Sequence, residues 1–299
     1  MKKSLVTALL IICVAAVKAQ DATVQDLKKA ASKEVKSLDS AGWKKGGTFV
    51  LNLNQGSLSN WAAGGEQNVL GINGILNYAL NYKKGKHTWD NYIDLALGFQ
   101  NATSFGKFRK IDDRIDLTSK YGRQIHKKLY WAALVNFNSQ ALPGYDYTVR
   151  DTPTKISNFL TPGKVLVSLG LDYRPNDNLS IFISPITNRW LLKADKEFFD
   201  IEKFGVPAGR KSYNEIGAYF TAKYSKQVTK WANYTGRLDL FSNYKRNPQN
   251  VDVFFTNLLA MNFNKWLGTT ISLDMIYDDD IISKLQLKEI LGIGLTLKL

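Results

Sequence analysis

The sequence has almost no cysteine or histidine, and this shortage excludes several kinds of chemistry. Its one cysteine is Cys13, and its two histidines are His87 and His126. A single cysteine forms neither an internal disulfide nor a thiolate metal site. Each histidine falls at a predicted tight turn, where a solvated turn residue is the simplest interpretation, and neither can be paired with a nucleophile from the sequence. We therefore predict a protein that is not an enzyme and has no cofactor.

Long apolar runs are also missing. The longest, Leu5 to Val17, is too short to form a membrane-spanning helix. Lys2 and Lys3 precede it, and a small-residue cleavage pattern ending at Ala19 follows it. This arrangement is typical of a secretory signal. We predict that residues 1–19 are a signal peptide and that the protein is exported.

Basic residues outnumber acidic ones, so the formal net charge is +14. A basic protein can bind nucleic acid, but export argues against that partner. Much of the lysine lies in short turns and in the segment 20–46, where it can meet anionic lipid headgroups. We predict that residues 20–46 form a periplasmic N-terminal segment. Its apolar residues have helix-like spacing, which leaves two interpretations open: a solvated leader or a helix that docks on a partner.

The sequence is rich in alternating apolar and polar side chains, from Thr48 to its last residue, Leu299. Successive side chains of a strand point to opposite faces of a sheet, so alternation indicates two environments. One face is large and aliphatic, and the other is small, amide or charged, which suits lipid outside and a polar lumen inside. We predict an all-β fold, a transmembrane antiparallel β-barrel of about twelve strands over residues 47–299, in the cell outer membrane.

The lengths of the connections between predicted strands support this fold. Every second connection is a tight turn, such as Lys83–Lys86, and the others are longer, such as Ala141–Lys164 and Asn188–Ser212. The alternation predicts short periplasmic turns and long extracellular loops. A soluble β-sandwich also has alternating side chains, but its outward face is polar and its connections need not alternate in this way.

One predicted strand and one predicted loop are less regular than the rest. The strand Asn178–Thr187 is the weakest, because Phe182 faces inward and Pro185 interrupts the pattern. The last of the longer connections is predicted at Asp279–Lys284.

The inward face of the predicted barrel carries charges of both signs. Opposite charges that pair across strands can fill a barrel interior. A strongly ion-selective pore would instead need rings of one sign. The mixture fits either a narrow passage or an interior plugged by side chains and long loops. The candidate lumen-lining residues are Asp94, Arg114, Asp116, Lys120, Asp172, Arg174, Glu215, Arg237 and Asp239, with Asp112, Lys223, Lys288 and Lys298 on the same face.

Two features of the predicted outer loops are candidates for binding. The first loop contains a motif whose tryptophan and paired glycines indicate a specific loop conformation. It is interpreted either as a loop that folds into the barrel mouth or as a packed structural corner. The other feature, Asp278–Asp280, is a carboxylate cluster, but three consecutive aspartates do not converge on one cation, so surface charge is favoured. The motif residues are Asn60, Trp61, Gly64, Gly65 and Glu66.

Several stretches of the chain resemble a Bacteroidota outer-membrane β-barrel family that is known only as a domain of unknown function (family 3078). The resemblance spans nearly the whole mature chain and implies an outer-membrane barrel, but it implies no reaction. The stretches that carry it include Ser59–Glu66, Thr88–Asn91, Ser119–Gly122, Pro143–Tyr145, Ile156–Phe159, Gly170–Tyr173, Phe241–Tyr244 and Tyr277–Asp280.

Two classes of function follow from the sequence. The first is a channel or transporter for a small solute, with the lumen charges lining its path. The second is a structural, assembly or binding component that recruits a periplasmic or outer-membrane protein through its outer loops or through residues 20–46. In both classes the surrounding partner is outer-membrane lipid.

Overall fold

A computed structural model describes residues 41–57, 68–104, 106–147, 152–176, 178–264, 267–278 and 282–299. The predicted signal peptide, nearly all of the N-terminal segment and the Asn60–Glu66 motif lie outside these residues. Within the described ranges, no helix is long and apolar enough to cross a membrane.

The described chain is built almost entirely of antiparallel strands, with one two-stranded hairpin outside the main sheet. Twelve strands form the main sheet, and β6 and β7 form the hairpin within the connection from β5 to β8. The strands are β1 Gly42–Ser57, β2 Asn68–Lys84, β3 His87–Ala102, β4 Arg109–His126, β5 Leu129–Ser139, β6 Gly144–Asp146, β7 Thr154–Ser157, β8 Gly163–Asn176, β9 Leu179–Leu192, β10 Ser212–Gln227, β11 Ala232–Asn243, β12 Val251–Asn262, β13 Leu267–Asp278 and β14 Ile282–Lys298.

The main sheet closes on itself. β1 pairs with β2 along its whole length, from Gly42 opposite Lys83 to Ser57 opposite Asn68. On its other side β1 pairs with β14, with Phe49 opposite Leu297. Each further strand pairs with its two neighbours around the ring, and the ladder that closes it, Thr48–Leu51 opposite Leu295–Lys298, is short. The predicted fold class, an antiparallel barrel of twelve strands, is confirmed.

The two faces of the barrel have opposite chemistry. Large aliphatic side chains on the outside are exposed, for example Leu53 (59%) and Leu169 (54%). Polar side chains point inward and are buried, among them Asn73, Asp172 and Ser168. A soluble domain buries its apolar residues and exposes its polar ones, whereas a barrel in lipid has the reverse arrangement. The alternation seen in the sequence therefore describes a transmembrane barrel.

The two rims of the barrel differ in the length of their connections. At one rim the turns are short, as at Gly85–Lys86 and Lys127–Lys128. The other rim carries the β5–β8 loop (residues 140–162) and the β9–β10 loop (residues 193–211). The predicted length of the connection after β13 was wrong. β14 begins at Ile282 rather than after Lys284, so this connection is short as well.

The barrel begins earlier than the predicted boundary at residue 47. β1 starts at Gly42, inside the segment assigned to the periplasmic leader. This stretch does not alternate between apolar and polar residues, so its pattern gave no strand signal. It is held by pairing with the end of β2 and by Trp43, whose ring lies 4.9 Å from that of Tyr82 and 5.9 Å from that of Trp89.

β9 contains a bulge near Pro185 and runs beyond its predicted end at Thr187. Ser184 and Thr187 are both fully buried, although they are three residues apart. The register shifts at this point against both neighbours, so β9 holds an extra residue beside Pro185. The predicted loop start at Asn188 was therefore wrong, and the strand continues to Leu192 with its alternation shifted by one residue.

The close approach of the β9 backbone at this bulge requires glycine at position 170. A Cβ atom there would collide with the backbone of Ile183 and lie 2.8 Å from the Cα of Ser184. We expect Gly170→Ala to lower the free energy of unfolding by about 1–3 kcal/mol, because backbone atoms cannot move aside as a side chain can. The matched control is Gly74→Ala, whose Cβ would meet only the ring of Phe49 at 3.9 Å. Urea unfolding in detergent micelles measures both variants, and equal midpoints would contradict the expectation.

Candidate functional site

The candidate site is the interior of the barrel. All nine predicted lumen-lining residues lie on the inward face of their strands: Asp94 on β3, Arg114, Asp116 and Lys120 on β4, Asp172 and Arg174 on β8, Glu215 on β10, and Arg237 and Asp239 on β11. Asp112 and Lys223 share that face. The side chains of Lys288 and Lys298 are not among those that the structure describes. The charged residues gather at three levels along the barrel.

The first level lies near the short turns and is centred on Arg174. Its guanidinium group is 2.7 Å from a carboxylate oxygen of Asp172 and 2.8 Å from one of Asp90. The ammonium group of Lys120 lies 2.9 Å from Asp172, and the hydroxyl of Ser180 donates to the same carboxylate at 2.8 Å. Because β3 and β8 are not neighbours in the sheet, these contacts reach across part of the lumen. We call Asp90, Lys120, Asp172 and Arg174 the short-turn cluster.

The second level lies midway along the strands. The Tyr219 hydroxyl donates to Asp239 at 2.6 Å, and Arg237 contacts the same carboxylate at 2.7 Å. At a similar height the ammonium group of Lys223 on β10 lies 5.2 Å from the ring centre of Tyr92 on β3. β10 and β3 are almost on opposite sides of the ring of strands. Side chains therefore bridge the interior here too, through a cation–π contact.

The third level lies towards the long loops and is centred on Arg189. Its guanidinium group pairs with Glu215 and lies 2.9 Å from Asp252. The group also stacks over the ring of Phe241 at 3.9 Å, and the Asn243 amide donates to Glu215 at 3.2 Å. Both ions of the Arg189–Glu215 pair are buried, so removing either would leave a buried charge at a cost of about 3–5 kcal/mol.

Sequence reasoning missed two members of this third level. Arg189 was assigned to a loop, because the bulge at Pro185 was not recognised and the alternation beyond it changes phase. A proline inside a strand is itself a signal for a bulge, so this residue could have been found. Asp252 follows the ordinary alternation of β12 and was simply not singled out. At the first level, Asp90 on the inward face of β3 was missed in the same way.

The wall formed by β1 and β2 carries mainly amides, with Lys44 opposite Asn81 near the short turns. Asn52 and Asn73 stand opposite each other, and Asn77 and Asn81 follow along β2. All four are buried, at 0%, 1%, 5% and 7% exposure. In the described structure each has at least one amide atom, and Asn52 and Asn73 have both, with no hydrogen-bond partner. A buried polar group without a partner costs about 1–3 kcal/mol. We call these four residues the amide lane.

At the rim opposite the short turns, the β9–β10 loop is organised around a buried lysine. Lys193 is fully buried, and its ammonium group donates to the carbonyl oxygens of Ile201, Pro207, Phe199 and Val206, at 2.5, 3.1, 3.4 and 3.4 Å. The β9–β10 loop, which also contains a one-turn 3-10 helix at Lys196–Phe198, is thus wrapped around one cation that satisfies four of its backbone carbonyl groups.

A latch joins the β9–β10 loop to the hairpin of the β5–β8 loop. Lys155 contacts Asp195 at 2.8 Å and Glu197 at 2.5 Å, and the Asn158 amide donates to Asp195 at 2.7 Å. The hydrogen bond from Lys155, then those from Asn158 and from the backbone of Glu197, lower the pKa of Asp195 to about 2. The hydrogen bonds to Asp195 and Glu197 raise the pKa of Lys155.

The remaining sequence candidates lie at the two rims of the barrel. His87 is the first residue of β3 and His126 the last of β4, so both stand at the short-turn rim. Asp278 is buried at the end of β13, so its interpretation as surface charge was wrong, while Asp279 and Asp280 lie outside the described residues. Across the described chain, no group of three or more histidine, cysteine, aspartate or glutamate residues is placed to hold a metal ion.

Comparison with known families supports the resemblance given by the sequence. Residues 53–145 match a family described as a protein of unknown function (DUF3078). The matched part runs from β1 through β5 into the β5–β8 loop, and it includes the Asn60–Glu66 motif. The predicted family resemblance is therefore confirmed over these residues. Among curated proteins no match was found.

Three solved structures align with most of this chain at low sequence identity. The translocator domain of the autotransporter NalP from Neisseria meningitidis is 11% identical, with 90% of this chain and 92% of that chain covered and a TM-score of 0.42. An outer-membrane channel from Pseudomonas putida F1 is 11% identical, with 89% and 97% covered and a TM-score of 0.42. A FadL homologue from Pseudomonas aeruginosa is 10% identical, with 86% and 74% covered and a TM-score of 0.30.

The latch should be insensitive to pH over a wide range. A lowered pKa means that the folded state favours ionised Asp195, so this contribution to stability is complete above about pH 4 and is lost as the pH falls towards 2. The raised pKa of Lys155 means that its contribution is lost only above pH 10.5. Carbon-13 shifts of labelled aspartate carboxyls, with the Asp195 signal identified by Asp195→Asn, should titrate near pH 2.

Lys155→Gln provides the control for this titration. Without the ammonium group, the midpoint of Asp195 should rise towards the ordinary value of about 4. A midpoint near 4 in the unaltered protein would show that the latch does not form in solution.

Proposed function

We propose that this protein is a non-enzymatic outer-membrane barrel that passes a small solute through a narrow lumen. The supporting observation is the inward face itself, which carries polar and charged side chains from the short-turn rim to the long-loop rim. A wholly structural barrel in lipid has no need of charge at three separate levels, since apolar packing fills an interior at lower desolvation cost. A solute that crosses the lumen would meet hydrogen-bonding groups throughout its path.

The three clusters also make the proposed passage narrow. Arg174 reaches from β8 to Asp90 on β3, and Arg189 reaches from β9 to Asp252 on β12. Both strand pairs are separated by other strands, so these side chains lie across the interior rather than along its wall. With positive and negative groups at each level, the lumen has no ring of one sign, and we expect weak ion selectivity.

The proposed location follows from the same features. Export would be directed by residues 1–19, and the short turns would face the periplasm with the N-terminal segment. Exposed Trp43, Trp89, Trp131 and Trp231 lie at the short-turn rim, where amphipathic rings favour the headgroup region. The long loops would then face outward. The proposal of no catalysis is supported by the position of His87 and His126, far along the strands from the Arg189 level.

A second candidate function is supported by the long-loop rim. The latch and Lys193 give the two loops a fixed arrangement, and they leave Ile156, Phe159 and Ile201 exposed. A fixed surface with apolar side chains suits the recruitment of a protein partner. Residues 20–46 are the other proposed docking segment. Deletion of residues 21–40 should leave a folded barrel and abolish a co-purifying partner; if nothing co-purifies with the intact protein, this second function is wrong.

Current through single molecules in a planar bilayer tests the channel. The unaltered protein should give small, discrete steps, and Arg174→Gln should give larger ones, because the link between β3 and β8 is lost. Arg210→Gln, in the exposed part of the β9–β10 loop, is the matched control and should behave as the unaltered protein. Heat-dependent mobility on gels verifies folding of each variant. Silence from folded protein would refute the channel, and equal steps in the two variants would show that Arg174 does not narrow it.

Ion preference gives an independent test. Arg114→Gln with Arg237→Gln removes two positive charges from the inward face, so the reversal potential in a salt gradient should shift towards cation preference. The Arg210→Gln protein again supplies the baseline. An unchanged reversal potential in the double variant would show that ions do not pass these side chains.

A further inference from the structure

We infer that the outer wall of the barrel carries a binding site for the phosphate group of an anionic phospholipid, beside the first short turns. The site faces lipid rather than the lumen, so the inference goes beyond the proposed channel and does not depend on it. Two neighbouring rows of outward side chains form the site, and the register of β1 to β4 places them side by side. The aromatic row consists of Trp43, Tyr82 and Trp89, and the polar row consists of Lys45, Asn91 and Ser119.

The polar row is unusual on a face that meets lipid. One step further from the short turns, the outward side chains are Tyr78, Ile93 and Leu117, which suit acyl chains. Lys45 is exposed at the boundary between these side chains and the aromatic row. A lysine at that depth is favourable only if its ammonium group reaches the headgroup level, and its long stem allows this. Lys45 therefore directs a cation along the outer wall towards lipid phosphates.

A second cation stands on the other side of the aromatic row. Lys84 is exposed at the end of β2, four residues beyond the Leu80 that faces Lys45, and thus about 13 Å further along the barrel. Two extended lysine side chains can span that distance and hold one phosphate between them, over the rings of Trp43 and Tyr82. Those ring centres lie 4.9 Å apart, so the two rings form a continuous surface beneath the phosphate.

The charge around the site is positive and is not compensated on the outside. The stretches 41–47, 80–92 and 118–132 contain nine lysine and arginine residues and one acidic residue, Asp90. Asp90 faces inward, where it contacts Arg174. The ligand that this surface fits is therefore an anion of the membrane. A second copy of the chain fits less well, because a two-fold contact through this face would bring equal charges together.

The tryptophan that borders the site is held in a fixed orientation. The Trp89 indole N–H donates to the Ser119 hydroxyl at 2.8 Å, and that hydroxyl donates to the side-chain oxygen of Asn91 at 2.7 Å. The Asn91 amide donates in turn to the carbonyl oxygen of Leu80 at 3.0 Å. These bonds fix the Trp89 ring, whose centre lies 5.9 Å from that of Trp43, before any lipid arrives. A prearranged aromatic surface lowers the ordering cost of binding.

Native mass spectrometry of the folded protein, released from mixed micelles with equal amounts of phosphatidylglycerol and phosphatidylcholine, tests the inference. The unaltered protein should retain the anionic lipid in preference to the zwitterionic one. In Lys45→Gln with Lys84→Gln, the ratio of the two retained lipids should fall by about fivefold for each charge removed. Ser119→Ala leaves every charge in place but frees the Trp89 ring, so the ratio should fall by about threefold.

Lys226→Gln with Lys230→Gln is the matched control, because it removes two exposed lysines of the same rim, at the turn between β10 and β11. It should retain the two lipids in the same ratio as the unaltered protein. If the unaltered protein retains both lipids equally, or if the control falls as far as the double variant, no localised site exists and the inference is wrong. An unchanged ratio in Ser119→Ala would reduce the site to diffuse charge attraction and would also overturn it.

The same spectra distinguish lipid from a second copy of the chain. The expected species is a monomer with bound phosphatidylglycerol. A dimer mass in the unaltered protein that disappears in the double variant would show that this face binds another copy, and would overturn the lipid site. Heat-dependent mobility on gels verifies that each variant is folded before its lipids are measured.

Discussion

Closure of the sheet is the constraint on which the rest of this molecule depends. No water inside a bilayer can satisfy a free backbone N–H or C=O group, so a sheet that crosses it must have no open edge. β1 meets this requirement by pairing with β2 on one side and with β14 on the other. Once the ring is closed, each strand has one face in lipid and one in the interior, and a side-chain period of two assigns every residue to one of them.

An interior built in this way must stabilise its own charges. A buried ion without a partner is far more costly than an exposed one, so each inward arginine or lysine needs a carboxylate within reach. Arg174 and Arg189 each meet two carboxylates, one of them across intervening strands. The contacts that satisfy the charges are therefore the same contacts that narrow the lumen. The stability of this barrel and the width of its interior depend on one set of side chains.

Much of this architecture follows from the sequence, because one rule, alternation, determines both the strands and their faces. The rule fails where the backbone departs from a regular ladder. At Pro185 one extra residue shifts the alternation of inward and outward side chains. The predicted strand therefore ended at Thr187, and Arg189 was assigned to a loop. At Gly42 the pairing with β2, rather than a side-chain pattern, makes the strand. The loop latch between Lys155 and Asp195 joins residues far apart in sequence, and no local pattern encodes such a contact.

The amide lane shows most clearly what a sequence pattern alone does not reveal. Asparagine at every second inward position reads as ordinary polar filling, and only the three-dimensional contacts separate a satisfied amide from an unsatisfied one. On the strands from β4 to β12, carboxylates and cations contact one another at three levels. On β1 and β2 the four amides keep atoms without a hydrogen-bond partner in the described structure, although Lys44 stands opposite Asn81. Charge pairs therefore stabilise one side of the interior, whereas the amides on the other side lie against glycines of the neighbouring strands, Asn73 against Gly98 and Asn52 against Gly294.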